Sequence, residues 1–158
     1  MMRQFQFLTS IFALLVLCGE GRAGDKEDVL ARVAEGYAAI NAGDVDAMEA
    51  FLFTPISRFE VDGGLLRTLS VNDQAVRVRE LKGAFAAGLK INVQTFHENA
   101  EVYDNTAVVT CYERVNINPP EGEPVNDTRR VTIVMVKENG NWNGVHVHLS
   151  YLKPVNPE

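Results

Sequence analysis

The second half of the chain contains four long segments with the composition of β-strands, and this feature most limits what the chain can fold into. The segments are residues 89–103, 106–117, 125–138 and 141–152. A two-residue turn at Asp104-Asn105 joins the first segment to the second, and one at Asn139-Gly140 joins the third to the fourth. Asn-Gly is a strong signal for a tight hairpin. A longer loop with two prolines, residues 118–122, joins the middle pair. The order predicts an antiparallel meander.

Three segments with helical periodicity precede these strands. The first, residues 26–42, repeats apolar side chains at spacings of three and four. A corner at residues 43–44 combines a glycine that can end this helix with an aspartate that can cap the next. The second helix closes at Pro55. A capping-box pattern at residues 70–73 opens the third helix, which ends at Gly88.

Helices followed by long strands indicate an α+β domain. Residues 56–61 and 65–68 add a short hairpin between the second and third helices. We therefore predict three N-terminal helices packed on one face of a curved, mixed or antiparallel sheet. A length of 158 residues suits one such domain, and we place it at residues 24–158.

The N-terminal segment has the layout of a secretory signal peptide. Arg3 precedes an apolar run at residues 7–18, and small residues follow at Gly21 and Ala23. We predict cleavage after residue 23 and a periplasmic or secreted protein, with no membrane attachment beyond the signal peptide. A short membrane anchor is an alternative. Lipid attachment at Cys18 is another, although bulky Leu17 stands where a lipobox has a small residue.

Charge and cysteine content exclude several classes of function. Removal of residues 1–23 takes away Arg3, Arg22 and Glu20, which leaves 13 basic and 20 acidic residues and a net charge of −7. An acidic domain without a basic cluster cannot grip a phosphate backbone, so nucleic acid is not an expected partner. Cys111 remains as a single cysteine without metal-ligand spacing around it, and we expect neither a disulfide, a metal nor a cofactor.

The run at residues 131–136 is apolar on both of its faces except at Thr132. A strand with one wet face alternates apolar and polar residues, so the second face of this strand needs cover. The helices can cover one face only. A second subunit packed sheet against sheet would cover the other, which predicts a homodimer; a loop or the C-terminal tail is the alternative.

Two segments resemble a known superfamily. Residues 37–46 (YAAINAGDVD) resemble the helix-corner-helix opening of ketosteroid isomerases and SnoaL-type cyclases, and residues 139–150 (NGNWNGVHVHLS) are similar to the closing strand of SnoaL-like domains. The same strand resembles that of the association domain of calcium/calmodulin-dependent kinase II. The resemblance covers about residues 27–154. It implies the cystatin-like cone fold of the nuclear-transport-factor-2-like superfamily, with an internal pocket and many different functions.

The resemblance to ketosteroid isomerases transfers only one catalytic residue. The position of the isomerases' oxyanion-binding tyrosine is occupied by Gly36 in this chain, and the position of their second oxyanion-binding acid by Thr132 or Ile133. Their catalytic base falls on Glu60. The resemblance therefore implies a possible base without its charge-stabilising partners.

The resemblance to the kinase association domain transfers one pocket arginine of three. That residue is Arg114, while the other two positions fall on Ile133 and Leu149. We therefore expect a more apolar pocket with Arg114 as the anchor for a carboxylate or carbonyl oxygen.

Strand alternation orders the remaining candidates. If Arg114 faces the pocket, Tyr112 does too, and Cys111 and Glu113 face away. An ion pair with Glu60 or Glu113 is the alternative for Arg114, and a solvated strand carboxylate is the alternative for Glu60.

On the last strand, a pocket-facing Leu149 puts His146 and His148 on the opposite face. There the two histidines suit packing between sheets better than catalysis or metal binding. The other candidate pocket-wall residues are Tyr37, Phe59 and Met135.

These features predict an exported homodimer that binds a small, mostly apolar organic molecule in a cone-shaped pocket. The first alternative is a cofactor-independent isomerase, dehydratase or cyclase with Glu60 as the proton shuttle. The second is an oligomerisation module similar to the kinase association domain. The sequence leaves the three open.

Overall fold

The computed structural model describes residues 23–61 and 64–152. The helices are α1 (Ala23–Ala42), α2 (Val45–Phe51) and α3 (Val71–Ala86). The strands are β1 (Leu52–Phe59), β2 (Arg67–Leu69), β3 (Lys90–Tyr103), β4 (Thr106–Asn118), β5 (Val125–Glu138) and β6 (Asn141–Tyr151). Apart from Ala23, the predicted signal peptide lies outside the described residues, and so does Cys18.

The six strands form one mixed sheet in the order β2-β1-β6-β5-β4-β3. Among the described strands, the β1–β6 pair is parallel and the other pairs are antiparallel, with β3 to β6 following each other as a meander. The three helices pack on one face of this sheet. The predicted α+β class with a curved mixed sheet is confirmed. None of the described helices combines the length and hydrophobicity that crossing a bilayer requires.

The boundary between α2 and β1 lies earlier in the chain than predicted. The helix ends at Phe51, and Pro55 lies inside β1 rather than at the end of the helix. Proline lacks the N–H that a sheet ladder needs. The structure accommodates it because the β1–β6 register shifts between Leu52 and Ser57, and β2 pairs only with residues 56–58.

The short hairpin also differs from the prediction, since β1 is Leu52–Phe59 and β2 is Arg67–Leu69 rather than residues 56–61 and 65–68. Turn and cap chemistry does fix the corner after α1, the start of α3 and the β5–β6 hairpin as predicted. Gly43 has a φ of +67°, and Asn139 and Gly140 both have positive φ at the β5–β6 hairpin. At the start of α3, the Ser70 amide donates to Asp73 Oδ2 at 2.9 Å and the Asp73 amide donates to Ser70 Oγ at 3.3 Å. This reciprocal capping box confirms the predicted start of α3.

The core lies between α1 and the inner face of the sheet. Val29 and Val33 of α1 pack with buried side chains of the central strands, which include Val109, Met135 and Trp142. Met135 was predicted as a pocket residue, but its side chain is fully buried in this core and does not line the cavity.

Candidate functional site

A cavity of about 260 Å³ lies between the helices and the inner face of the sheet. All three helices and five of the strands contribute to its wall. Most of the wall is aliphatic or aromatic and includes Ile40, Val45, Ile56, Leu81, Ile133 and Leu149. Tyr37 and Leu149, two of the predicted pocket residues, face this cavity.

Strand β4 presents to the cavity the face opposite to the one predicted. Glu113 is 5% exposed and lines the cavity, whereas Arg114 and Tyr112 are exposed on the outer face. The Arg114 guanidinium lies 6.0 Å from the ring centre of Phe96 on that outer face. The prediction that Arg114 and Tyr112 face the pocket is therefore wrong. Alignment of Arg114 required a one-residue difference in loop length, and a one-residue slip exchanges the faces of a strand.

Glu113 is the centre of a buried polar group with Tyr37 and Arg129. The Tyr37 hydroxyl donates a hydrogen bond to Glu113 Oε2 at 3.2 Å, and Arg129 Nη1 lies 3.6 Å from Glu113 Oε1. Arg129 also contacts Asp127, with 2.9 Å between Nη2 and Oδ2. Tyr37 Oη lies 3.9 Å from the sulfur of Cys111. The carboxylate therefore has a neutral donor on one oxygen and a cation near the other.

Burial disfavours the charged forms of Glu113, Tyr37 and Cys111 in this group. Burial raises the pKa of Glu113, while Arg129 and the Tyr37 hydrogen bond oppose that rise. Burial, together with the adjacent Glu113 charge, also raises the pKa of Tyr37, so this hydroxyl stays protonated. Burial raises the pKa of Cys111 to about 11. Glu113 is thus a cavity-facing acid that can take up or release a proton beside a fixed hydroxyl donor.

A second polar group lines the cavity near α3. Arg58 on β1 binds Glu60 through two contacts, 2.7 Å from Nε to Oε1 and 3.0 Å from Nη2 to Oε2. Glu60 does not line the cavity, so the structure gives it the role of an ion-pair partner rather than a base facing a ligand. From α3, Gln74 and Arg77 face the cavity, and Oε1 of Gln74 is buried without a hydrogen-bond partner in the described part of the chain.

The outer face of the sheet holds the remaining predicted residues. Phe59 is 36% exposed and lies on this face, with its ring centre 5.9 Å from His146 and 5.4 Å from His148, so the prediction of Phe59 as a pocket residue is wrong. Ser57 Oγ and His146 Nδ1 are 2.8 Å apart. Both histidines lie on the face of β6 opposite to that of Leu149, as strand alternation predicted.

The sequence contained a signal for Glu113. On β4, the inward series is apolar except for this residue (Val109, Cys111, Glu113 and Val115), and the outward series is polar (Thr110, Tyr112, Arg114 and Asn116). Hydrophobic alternation alone assigns the inner face correctly. Arg58, Gln74, Arg77 and Arg129 carried no comparable signal, because none of them interrupts an otherwise apolar series on one face of a strand. Within residues 23–61 and 64–152, no three His, Cys, Asp or Glu side chains come close enough to hold a metal ion.

Comparisons with known proteins agree on the fold. The pattern of the SnoaL-like domain matches residues 29–154. A putative dehydratase of the NTF2-like family from Streptomyces avermitilis is 20% identical with a TM-score of 0.66, over 83% of this chain and 98% of that chain. No curated protein matches the sequence significantly.

Two further solved structures are similar. One is an NTF2-like protein from Cytophaga hutchinsonii, 16% identical with a TM-score of 0.66, over 80% of this chain and 97% of that chain. The other is a putative calcium/calmodulin-dependent protein kinase II association domain from Xanthomonas campestris. It is 16% identical with a TM-score of 0.63, over 80% of this chain and 87% of that chain. At these identities the likeness concerns the fold alone.

Proposed function

Because the chain belongs to the SnoaL-like domain family, we propose that its cavity binds a small, mostly apolar organic molecule. One observation carries this proposal: a hollow of about 260 Å³, walled mainly by aliphatic side chains, persists between the helices and the sheet. The pocket is open to solvent on one side, so its aliphatic walls are in contact with water. A ligand that covers these walls gains free energy by removing apolar surface from water.

The volume sets the size of the ligand. An engineered cavity of about 150 Å³ takes up benzene in another protein, so 260 Å³ has room for about ten non-hydrogen atoms. Small ligands gain at best roughly 0.3 to 1.5 kcal/mol per atom. A gain of about 0.4 to 0.8 kcal/mol per atom, within that range, gives dissociation constants between about 1 mM and 1 µM for about ten atoms, and we expect affinities of this order.

Calorimetry with neutral probes tests this proposal. Octanamide and phenylacetamide each have about ten non-hydrogen atoms, the size that the cavity volume allows. We expect Val147→Trp, which puts an indole into the cavity from β6, to weaken binding at least about tenfold. Val125→Trp is the matched control, because Val125 is exposed at the start of β5. Failure of small apolar probes to bind, or equal binding by Val147→Trp, would overturn the proposal.

The contacts of Glu113 favour one second candidate function, a cofactor-independent isomerase or dehydratase. In this reading Glu113, rather than Glu60, takes a proton from carbon beside a carbonyl group. The Tyr37 hydroxyl, which donates its single proton to Glu113 in the free protein, turns that hydrogen bond to the carbonyl oxygen when the ligand is bound. Phenylacetone has about ten non-hydrogen atoms and an acidic methylene, so it suits a cavity of this volume.

Proton NMR in D₂O would follow exchange of that methylene. We expect Glu113→Gln to slow enzyme-dependent exchange by about a hundredfold, the usual contribution of a general base. Glu60→Gln should leave exchange unchanged. Exchange that persists in Glu113→Gln would remove Glu113 from the mechanism.

We further propose that the outer face of the sheet forms a homodimer. Val134 and Val136 stay half-buried on this face, and Phe59 and Tyr112 are 36% and 37% exposed on it. Sedimentation should show a dimer for the wild type and a monomer for Val134→Glu. Val76→Glu on the exposed side of α3 is the control. A ring larger than a dimer would instead favour an assembly role.

We also propose that the protein is exported, on the basis of the layout of residues 1–23. Mass spectrometry of the protein from a periplasmic fraction should give a chain that begins at Gly24. A lipid-modified Cys18 at the N-terminus would establish the lipoprotein alternative, and an uncleaved cytoplasmic chain would contradict export.

A further inference from the structure

Three arginines lie near one another where α3 packs against the edge of the sheet. Arg58 on β1 and Arg67 on β2 are directly opposed partners in the antiparallel pair β1–β2. Residues directly opposed in this way point to the same face of a sheet. Arg77 projects from α3 into the same region, where the charges of Arg58, Arg67 and Glu60 all act on it.

The group has an excess of positive charge. Among residues 23–61 and 64–152, Glu60 is the acid of this group, and both Glu60 oxygens contact Arg58. In the described part of the chain, Arg77 forms no ion pair. The two acids of the described cavity wall have other neighbours, since Glu113 contacts Tyr37 and Arg129, and Glu49 acts on Lys82. Among the described residues, this region therefore holds three arginines and one carboxylate, in a chain whose formal net charge is −6.

This arrangement is unfavourable in the absence of an anion. Like charges directly opposed across two strands destabilise a sheet, and removal of a positive charge from water without a partner costs further free energy. Burial and the neighbouring Arg58 both lower the pKa of Arg77, which is the signature of a cation without enough negative charge around it. Arg58 and Arg77 both line the apolar cavity, so an anion bound there would be continuous with it.

We propose that the ligand is an apolar organic acid whose carboxylate lies against Arg77 and Arg58 and whose hydrocarbon part fills the cavity. The planar guanidinium fork matches a carboxylate with two parallel hydrogen bonds, which an amide or alcohol cannot accept equally. The inference rests on the proposed function and adds the chemical class of the ligand. It also replaces Arg114 as the anchor, since that residue lies on the outer face.

Matched ligand pairs test the inference. Octanoate and octanamide have the same size and shape, as do phenylacetate and phenylacetamide, and calorimetry measures all four on each variant. We expect the wild type to bind each acid at least about tenfold more tightly than its amide. Acetate keeps the carboxylate but lacks the apolar part, and should bind at least about tenfold more weakly than octanoate.

Two arginines on the same helix provide the variant and its control. Arg77→Gln should abolish the preference for acids, whereas Arg79→Gln removes the same charge from an exposed position of α3 and should keep it. Arg77→Lys should keep part of the preference, since it retains the charge without the fork. Without ligand, Arg77→Gln should melt no lower than the wild type, because it relieves repulsion from Arg58. Circular dichroism confirms that each variant is folded.

The outcomes separate the two proposals. If neither acids nor amides bind, the proposed function fails. If acids and amides bind equally, or if Arg77→Gln and Arg79→Gln weaken the acids equally, the cavity binds apolar molecules and the carboxylate inference is overturned.

Discussion

Removal of one hydroxyl, in Tyr37→Phe, would expose the energetics of the buried acid Glu113. The Tyr37 hydroxyl donates to Glu113 Oε2 at 3.2 Å, and the remaining cation contact, with Arg129, is longer at 3.6 Å. Phenylalanine keeps the ring that packs against the core and deletes only the donor. The hydroxyl also lies 3.9 Å from Cys111 Sγ, so a double-mutant cycle with Glu113→Gln is needed to isolate the part of the stability change that belongs to Glu113.

The size of the effect depends on whether Glu113 is ionised. A hydrogen bond to a charged group contributes about 1.5–3 kcal/mol, and one between neutral groups contributes about 0.5–1.5 kcal/mol. Because the Tyr37 hydrogen bond lowers the pKa of Glu113, its loss raises that pKa further above the value in the unfolded chain. A raised folded-state pKa of an acid costs no stability below the unfolded pKa, and the cost grows as the pH rises through the folded pKa. The variant should thus be destabilised more at pH 8 than at pH 4.

Urea denaturation of both proteins at the two pH values measures this difference. We expect a loss of about 2 kcal/mol at pH 8 and about 1 kcal/mol at pH 4. Tyr103→Phe is the control, since Tyr103 is 64% exposed. A double-mutant cycle with Glu113→Gln should give a coupling energy near the difference between the two conditions. An equal loss at both pH values, or no coupling in the cycle, would refute the reasoning.

Three other predictions follow from single contacts. Arg114→Ala should leave ligand affinity within about twofold of wild type in calorimetry, because Arg114 lies on the outer face; a larger loss would restore it as a ligand contact. Gly43→Ala should lower the free energy of unfolding by about 2 kcal/mol, because its φ is +67° and the added methyl would lie 2.9 Å from the Phe85 ring. Gly83→Ala, with open space around it, should instead stabilise α3 by about 0.5 kcal/mol. Cys111 should react with a disulfide reagent at pH 8 at least about a hundredfold more slowly than a free thiol, because it is buried with a pKa near 11; rapid labelling of the folded protein would contradict this.

The fold could be predicted from the sequence because its signals are local. The capping box at Ser70 and the Asn139-Gly140 turn each fix a backbone conformation within a few residues, and the structure has both. Pro55 was misread because a proline normally ends an element. It lies inside β1 through a register shift that depends on the distant strand β6, which no local pattern reports.

The site could be predicted only in part, because it depends on which strand face meets the helices. Tyr37 faces the cavity as expected and follows the helical periodicity of α1, and Leu149 faces it as the alignment to the kinase association domain implied. Arg114 was misplaced because the alignment to a distant family was given more weight than the alternation within β4. The proximity of Arg58, Arg67 and Arg77 could not be predicted, because it requires the packing of α3 over β1 and β2.

The two polar groups of the cavity differ in how far their charges are already satisfied, and this difference assigns them different tasks. Glu113 has a donor on one oxygen and a cation near the other, so it does not need a ligand to complete its environment. A ligand that approaches it meets an acid whose raised pKa suits proton transfer more than charge recognition. Arg77 is the reverse, a permanent charge that cannot exchange protons near neutral pH and lacks an anion among the described residues. Recognition of charge therefore belongs to the arginines near α3, and any chemistry in this cavity belongs to Glu113 with Tyr37.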